Sequence, residues 1–375
     1  MKVCYVTHLP NLTGASRSLL DMLSGFDRNE VEPVVLLGKH GPIEDELKKL
    51  DIRYKVIPYS TSIKENNKPI VNFIKKVKIT LAIPKVKKFF EEEKFDLIHN
   101  NSLLVRVGIE GAYKAGIPFI CHMREFIWED HGKRLISEKK HFELLKEANM
   151  HIAISKAVYK KFNSLVGNAP ISTVSDGLDI EKYLIEDKEI FNNKEINLLL
   201  PGRIVPGKGQ FEAVKAVEEL SKRGINNIKL IIVGSVGDKD YYKRMRDYVD
   251  EHKISQVEFI SFTKEMKELQ QRTDIGLVCS KAEALGRVTV ESMLSGCLTI
   301  GANAGATGEL IKSGETGLLY ELGNYKDLAD KIVYAMENVD EMRAIAKKGQ
   351  KYAVDNFDNK EYNHKILKIY KSVLK

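Results

Sequence analysis

The chain lacks most of the signals that settle a protein's class at a glance. It contains no apolar run of the roughly 18 residues that a bilayer-spanning helix needs. Its opening, MKVCYVTHLP, is too short and too interrupted by polar residues for a signal peptide and reads as a first buried strand. The four cysteines (Cys4, Cys121, Cys279, Cys297) are scattered, with no C-x-x-C pair, and three lie in strand-like apolar runs. They read as reduced core thiols, not disulfides or metal ligands, which points to a cytoplasmic address and empties the sequons at Asn11 and Asn100 of meaning. No metal-ligand cluster stands out, so neither a metal nor another cofactor is expected. A G-x-G-x-x-G fingerprint is missing, which argues against a dehydrogenase. Nucleic-acid motifs, internal repeats and low-complexity tracts are absent too, so no nucleic-acid partner is expected.

What is present is the composition of an ordinary globular protein, 43% apolar and 30% charged, over 375 residues, enough for two domains with separate cores. Strand-like runs at residues 3–7, 34–37, 52–57, 95–99 and 118–122 alternate with helical patterns, the first helix opening at Ser18 and another spanning residues 102–115. Such alternation predicts an α/β fold built on a parallel, doubly wound sheet, in which ligands bind beyond the carboxyl ends of the strands. Gly14, Ala15 and Ser16 fall in the loop after the first strand, a small-residue loop of the kind that lets backbone approach a phosphate. His99 and His122 stand at strand ends. Residues 185–193 are mostly polar and read as a linker, after which 196–200 begins a second set of strands.

The net charge of +7 is unevenly spread. Residues 64–88 hold eight lysines (Lys64, Lys68, Lys75, Lys76, Lys78, Lys85, Lys87, Lys88) against the single acid Glu65. That local excess equals the net charge of the whole chain. Ile70, Val71, Phe73, Ile74, Val77, Ile79, Leu81 and Ile83 are interleaved with them. Two readings stand: a helix packing its apolar face on a core with its lysines in water, or one lying on an anionic membrane surface.

The most informative stretch is 279–320, CSKAEALGRVTVESMLSGCLTIGANAGATGELIKSGETGLLY. A strand at 275–279 should lead into a loop carrying Glu283, Ala284, Leu285, Gly286 and Arg287, then a helix over 288–295 that holds Glu291 and stops at Gly296. Free N–H groups at Leu285, Gly286 and Arg287 would favour an anion such as phosphate. Ionised carboxylates only accept hydrogen bonds, so Glu283 and Glu291 suit hydroxyl-rich groups on either side of it: a sugar and a ribose. Taken singly, each glutamate fits a blander role, one complementing a helix dipole and the other facing solvent. Upstream, Gly202, Arg203, Lys208 and Gly209 occupy a glycine-rich loop where two cations five residues apart can converge on one diphosphate. Gly234 ends the strand at 229–234, where a nucleotide would pass, and Thr263 and Lys264 follow the strand at 257–262.

The G-R-x-x-x-x-K-G loop and the E-x7-E pair, followed by the small-residue turn at 301–308 and G-E-T-G at 314–317, resemble the donor half of the family-4 glycosyltransferases. The resemblance implies the GT-B architecture: two Rossmann-like doubly wound parallel-sheet domains facing a cleft, residues 1–185 on the acceptor side and 195–355 for the donor, with the last helix (356–375) crossing back to the first domain. It also implies a retaining transfer of a hexosyl group from a nucleotide-diphosphate sugar to a hydroxyl of a glycan or lipid-linked acceptor, in cell-surface polysaccharide synthesis. Arg203 and Lys208 would then take the diphosphate, Glu283 the sugar and Glu291 the ribose. His122 would contact the donor sugar, with Arg124 and Glu125 shaping an acceptor cleft. Asp176 stands where the family's turn usually has Asn. Two other readings stay open, a nucleotide-sugar epimerase on the same scaffold and an inactive donor-binding scaffold subunit. The expected address is cytoplasmic, with or without peripheral attachment to the inner face of the membrane through residues 64–88.

Overall fold

The structure, a computed structural model, describes residues 1–375 apart from His8, Thr13 and Lys264, and without the side chains of Asp130 and His131. Lys264 of the loop after the 257–262 strand therefore lies outside the described residues. The short apolar runs form parallel strands, most of them buried on both faces, as strands between two layers of helix must be. In the first domain β1 (Lys2–Val6), β2 (Glu32–Leu37), β3 (Arg53–Val56), β4 (Leu97–Asn100), β5 (Phe119–Met123), β6 (Met150–Ala153) and β7 (Ile171–Thr173) make one sheet in the order β3-β2-β1-β4-β5-β6-β7. In the second, β8 (Ile196–Pro201), β9 (Ile228–Val233), β10 (Val257–Ile260), β11 (Ile275–Val278), β12 (Leu298–Ala302) and β13 (Leu318–Tyr320) are ordered β10-β9-β8-β11-β12-β13. All pairings are parallel.

Each sheet thus starts in its middle, grows to one edge and then adds the other half. The order reverses between β1 and β4 and again between β8 and β11. At those two points successive loops leave in opposite directions and open a crevice beyond the carboxyl ends of the strands.

The first domain comprises residues 1–178 and 359–375, the second 179–358. This differs from the sequence reading, which ended the first domain at 185 and opened the last segment at 356. Residues 185–193 are a surface strap of the second domain instead of a linker: Ile190 and Phe191 are buried in its core, and the Phe191 N–H donates to Asp274 Oδ1 at 2.6 Å. Two helix starts also differ. The first helix is Gly14–Ser24, so Gly14 opens the helix and is not part of a loop; N–H groups of a first turn need no intrahelical partner, and small residues enter it freely. The next one in question is Arg106–Ala115, because the Ser102 hydroxyl accepts from the Leu104 N–H and holds 102–105 in a turn.

The closing helix Asn359–Val373 completes the first core, burying Tyr362, Ile366, Ile369 and Tyr370 with Tyr5, Leu19, Met22 and Leu97. Among the described residues no helix is long and apolar enough to cross a membrane. Because Ile366 is fully buried there, Ile366→Ala is expected to cost about 2–5 kcal/mol of stability. Lys368→Ala, on the exposed side, is expected to stay within about 0.5 kcal/mol. Urea unfolding followed by far-UV circular dichroism checks both.

Candidate active site

Two loops form the crevice of the second sheet. The first leaves β8 at Pro201, passes Gly202 and Arg203, makes one 3-10 turn at Pro206–Lys208 and enters the helix Gln210–Lys222 through Gly209. The second leaves β11 and reaches Gly286, which caps the helix Arg287–Leu294. They are joined through backbone, with the Lys281 N–H donating to the Gly207 carbonyl at 2.9 Å. Gly209, at φ +69°, lies so close to Cys279 that a Cβ would stand 2.1 Å from the Cys279 carbonyl oxygen. No other residue fits there without pushing the loops apart. The contact brings Lys208 Nζ to 2.5 Å from Glu283 Oε1.

That pair joins two residues 75 positions apart, which the sequence assigned to neighbouring parts of one ligand. Its carboxylate is the more enclosed partner, 12% exposed against 33% for the lysine. Glu283 is held from behind as well, since the Ala306 N–H donates to its carbonyl at 2.8 Å and Gly305 packs on its backbone. The small-residue turn after β12 is thus a buttress for the Glu283 loop.

Arg203 is placed differently from the expectation that both cations converge. Its side chain rests on Gly237, in the loop after β9, the neighbour of β8 away from β11. Gly234, at the end of β9, packs on the Gly202 carbonyl, where a Cβ would come within 2.0 Å. At the helix entry, the N–H groups of Leu285 and Gly286 have no acceptor among the described residues, while Ala284 stays partly open to solvent. Glu291 faces back toward that entry, with Oε1 3.5 Å from Arg287 Nε one turn earlier. Arg287 also reaches the Tyr183 hydroxyl at 3.4 Å, a residue the sequence reading did not single out.

In the first domain the strand-end polar residues are turned inward. His122 is fully buried, which corrects the reading of its ring as presented to a sugar. Its Nδ1 lies 3.1 Å from His99 Nε2 and 3.2 Å from an Arg124 nitrogen. Guanidinium only donates, so Nδ1 is the acceptor and the ring proton sits on Nε2, 3.8 Å from Asp176 Oδ1. Arg124 is ion-paired to Asp176, donates to Asn101 Oδ1 at 2.9 Å and reaches the Tyr362 hydroxyl at 3.3 Å. His99 Nδ1 meets the Tyr370 hydroxyl at 2.7 Å. Glu125 accepts from Ser102 at 2.6 Å. Arg124 and Glu125, expected to shape an acceptor cleft, are both 7% exposed and belong to this interior network. Asp176, expected only to form a turn, neutralises the buried guanidinium.

Residues 12–182 match the family described as Glycosyltransferase Family 4, and residues 182–352 the one described as Glycosyl transferases group 1. This chain belongs to the family-4 glycosyltransferases. It is 26% identical over 336 residues to an uncharacterised glycosyltransferase of Methanocaldococcus jannaschii, covering 83% of this chain and 88% of that one. With the capsular polysaccharide biosynthesis glycosyltransferase CapM of Staphylococcus aureus it shares 24% identity over 54% of each chain, about half of that protein's length. Among solved structures, HepE of Anabaena in complex with UDP-glucose matches with a TM-score of 0.81 at 25% identity, over 99% of this chain and 100% of that one. The two Rossmann-like parallel-sheet domains are those of the GT-B fold.

In this glycosyltransferase the first-domain histidines carry a pH signature. Burial lowers His99 to about 3, and His141 and His151 to about 4, with His122 displaced in the same direction. Unfolded, each titrates near about 6.5. The unfolded chain therefore takes up these protons first, so their stabilising effect is complete above about pH 6.5 and is lost as pH falls toward the folded values. For a group held at about 4 the loss reaches about 2 kcal/mol at pH 5. The urea midpoint is expected to drop between pH 7 and pH 5; an unchanged midpoint would contradict the neutral, buried state of these rings.

Proposed function

We propose that this glycosyltransferase takes a hexosyl group from a nucleoside diphosphate sugar and places it, with retention at the anomeric carbon, on a hydroxyl of a glycan or lipid-linked glycan. The observation that carries the reading is the Lys208–Glu283 pair at the switch point of the second sheet, beside the open amides of Leu285 and Gly286. A diphosphate entering there offers Lys208 a doubly charged partner in place of one carboxylate. Glu283, released, accepts from sugar hydroxyls. Arg203, swung off Gly237, adds a guanidinium to the same diphosphate, and Glu291 accepts from the ribose.

In the transfer the bond from the anomeric carbon to the diphosphate oxygen breaks and the acceptor oxygen bonds to that carbon on the same face. The departing diphosphate keeps the electron pair of the broken bond, and one of its oxygens takes the acceptor's proton. Lys208, Arg203 and the helix-entry amides stabilise the charge that grows there, and Glu283 fixes the sugar. No metal is needed for charge balance with two cations on the diphosphate. The UDP-glucose bound to Anabaena HepE supports a uridine donor as the first to try, and the capsular role of CapM supports surface polysaccharide as the product class. A lipid-linked acceptor is met at a membrane, and residues 64–88 are the part of the chain assigned to that contact.

Lys208→Ala and Glu283→Ala are each expected to lower turnover roughly tenfold or more with the fold intact, the scale of losing one charge-stabilising group. The donor is identified first by thermal shift across nucleoside diphosphates and their sugars. One nucleotide sugar is expected to raise the melting temperature of the native protein and to do so less in Glu283→Ala. Full activity in either variant, or no shift with any nucleotide sugar, overturns the reading.

A further inference from the structure

The lysine-rich segment forms the helix Pro69–Glu93, and its two halves behave differently. From Ile79 onward it is an ordinary packed helix, burying Ile79, Ala82, Ile83, Val86, Phe89 and Phe90. Before Ile79 it buries nothing. Ile70, Phe73, Ile74, Val77 and Leu81 recur at i, i+3, i+4, i+7 and i+11, one stripe of a 3.6-residue helix, on the side opposite to the packed stripe. They are exposed, Ile70 by 74%, Phe73 by 67% and Leu81 by 63%. A contiguous apolar stripe of this kind in water marks a surface that meets something.

At the foot of the helix lies a cavity of 660 Å³ whose lining includes Lys64, Glu65, Lys68, Lys133 and Arg134. Its frame is rigid. Ile63 and Leu135 form an antiparallel bridge, and the Lys64 N–H donates to the Arg134 carbonyl at 2.8 Å. Asn72, in the first turn of the helix, ties both backbone groups of Glu65 at 2.7 and 2.8 Å. Glu65 is shared by Lys133 at 2.5 Å and Lys75 at 2.6 Å, and these two hydrogen-bonded lysines hold its carboxyl down at about 2. Among the described residues the only acid of the cavity lining is thereby spent on a lysine of the lining and one of the helix. The side chains of Lys64, Lys68 and Arg134 have no acidic partner among the described residues.

We propose that this cavity binds the phosphate of an anionic phospholipid while the outward stripe of Ile70, Phe73, Ile74 and Leu81 enters the same bilayer. The proposal rests on the membrane part of the functional reading and gives it a site. Charge decides the occupant. A second copy of the chain would set Lys68, Lys76 and Lys78 against their own likeness, and an apolar protein partner would leave the cavity cations unmatched. A bilayer carrying acidic lipid supplies an apolar interior and a layer of phosphates at one boundary, and each lysine near it strengthens the attraction.

The experiment is co-sedimentation of the full chain, without donor or acceptor, with vesicles of phosphatidylcholine containing about one-third phosphatidylglycerol, in low and in high salt. Binding to the anionic vesicles at low salt, weakened by salt and absent with pure phosphatidylcholine, is expected. The combined variant Lys64→Ala/Lys68→Ala/Arg134→Ala is expected to lower partitioning roughly tenfold or more. Lys76→Ala/Lys78→Ala/Lys85→Ala, which removes the same charge outside the cavity, should lower it clearly less. Phe73→Ser/Ile74→Ser should also weaken binding. All of these side chains are exposed, so an unchanged urea midpoint verifies the fold. Equal loss in the two charge variants overturns the cavity site while leaving peripheral contact standing; no pelleting of the native protein overturns both. Inorganic phosphate that stabilises the native protein but not the cavity variant, with no vesicle binding, reassigns the site to a soluble anion and overturns the lipid. None of these outcomes depends on the donor site.

Discussion

The second domain turns on a backbone bond that no side chain can replace, the one from the Lys281 N–H to the Gly207 carbonyl. It ties the loop after β8 to the loop after β11 at the point where strand order reverses, and Gly209 allows the approach by having no Cβ to strike Cys279. Everything chemical at the site hangs from that junction. Lys208 is the last residue of a turn that Gly209 ends, and Glu283 follows Lys281 by two, so fixing the two backbones leaves their side chains little choice but to meet. The buttress from Ala306 then fixes the far side of the Glu283 loop. A cation and a carboxylate so placed balance each other's charge in a half-sheltered crevice, where either alone would be costly.

The first sheet repeats the same strand order and puts its switch point to a different use. There the strand-end polar groups face one another. Asp176 neutralises Arg124, Arg124 ties Asn101 and the His122 ring, and His99 passes the chain on to Tyr370. Burial keeps the histidines neutral, which lets them serve as a donor-acceptor relay with no charge to compensate. The network also explains why the last seventeen residues belong to the first domain in space: Tyr362 and Tyr370 supply the hydroxyls that close it, and their rings fill the core beneath.

Much of this was legible in the sequence, for physical reasons that differ from place to place. Parallel strands buried on both faces show as apolar runs, so β8, β11 and β12 could be placed to within a residue or two. The two crevice loops could be picked out because glycine, cation and carboxylate at fixed spacing have few other reasons to coincide. Where a residue points was not legible. His122 looks the same in sequence whether its strand end faces a ligand or Arg124, and Asp176 gave no sign that its partner lay 52 positions away. Gly14 was misplaced because small residues suit a loop and a first helical turn alike. Polar residues at 185–193 suggested a linker, since a strap that covers a core with only Ile190 and Phe191 has a linker's composition.

The helix Pro69–Glu93 shows why its composition left two readings open. A lysine-rich apolar segment fits both a core-packing helix and a surface-lying one, because composition does not say which face is covered. The structure separates them along the length and around the axis: Ile79 to Phe90 face the core, Ile70 to Leu81 face away, and the two stripes overlap for less than a turn. A helix apolar on opposite sides has no net amphipathic direction, so a test that looks for one polar and one apolar face passes over it. The lysines bear on what the outer stripe can meet. An apolar stripe alone is an aggregation liability, but flanked by cations and ending at a framed basic cavity it repels its own copies and attracts acidic surfaces.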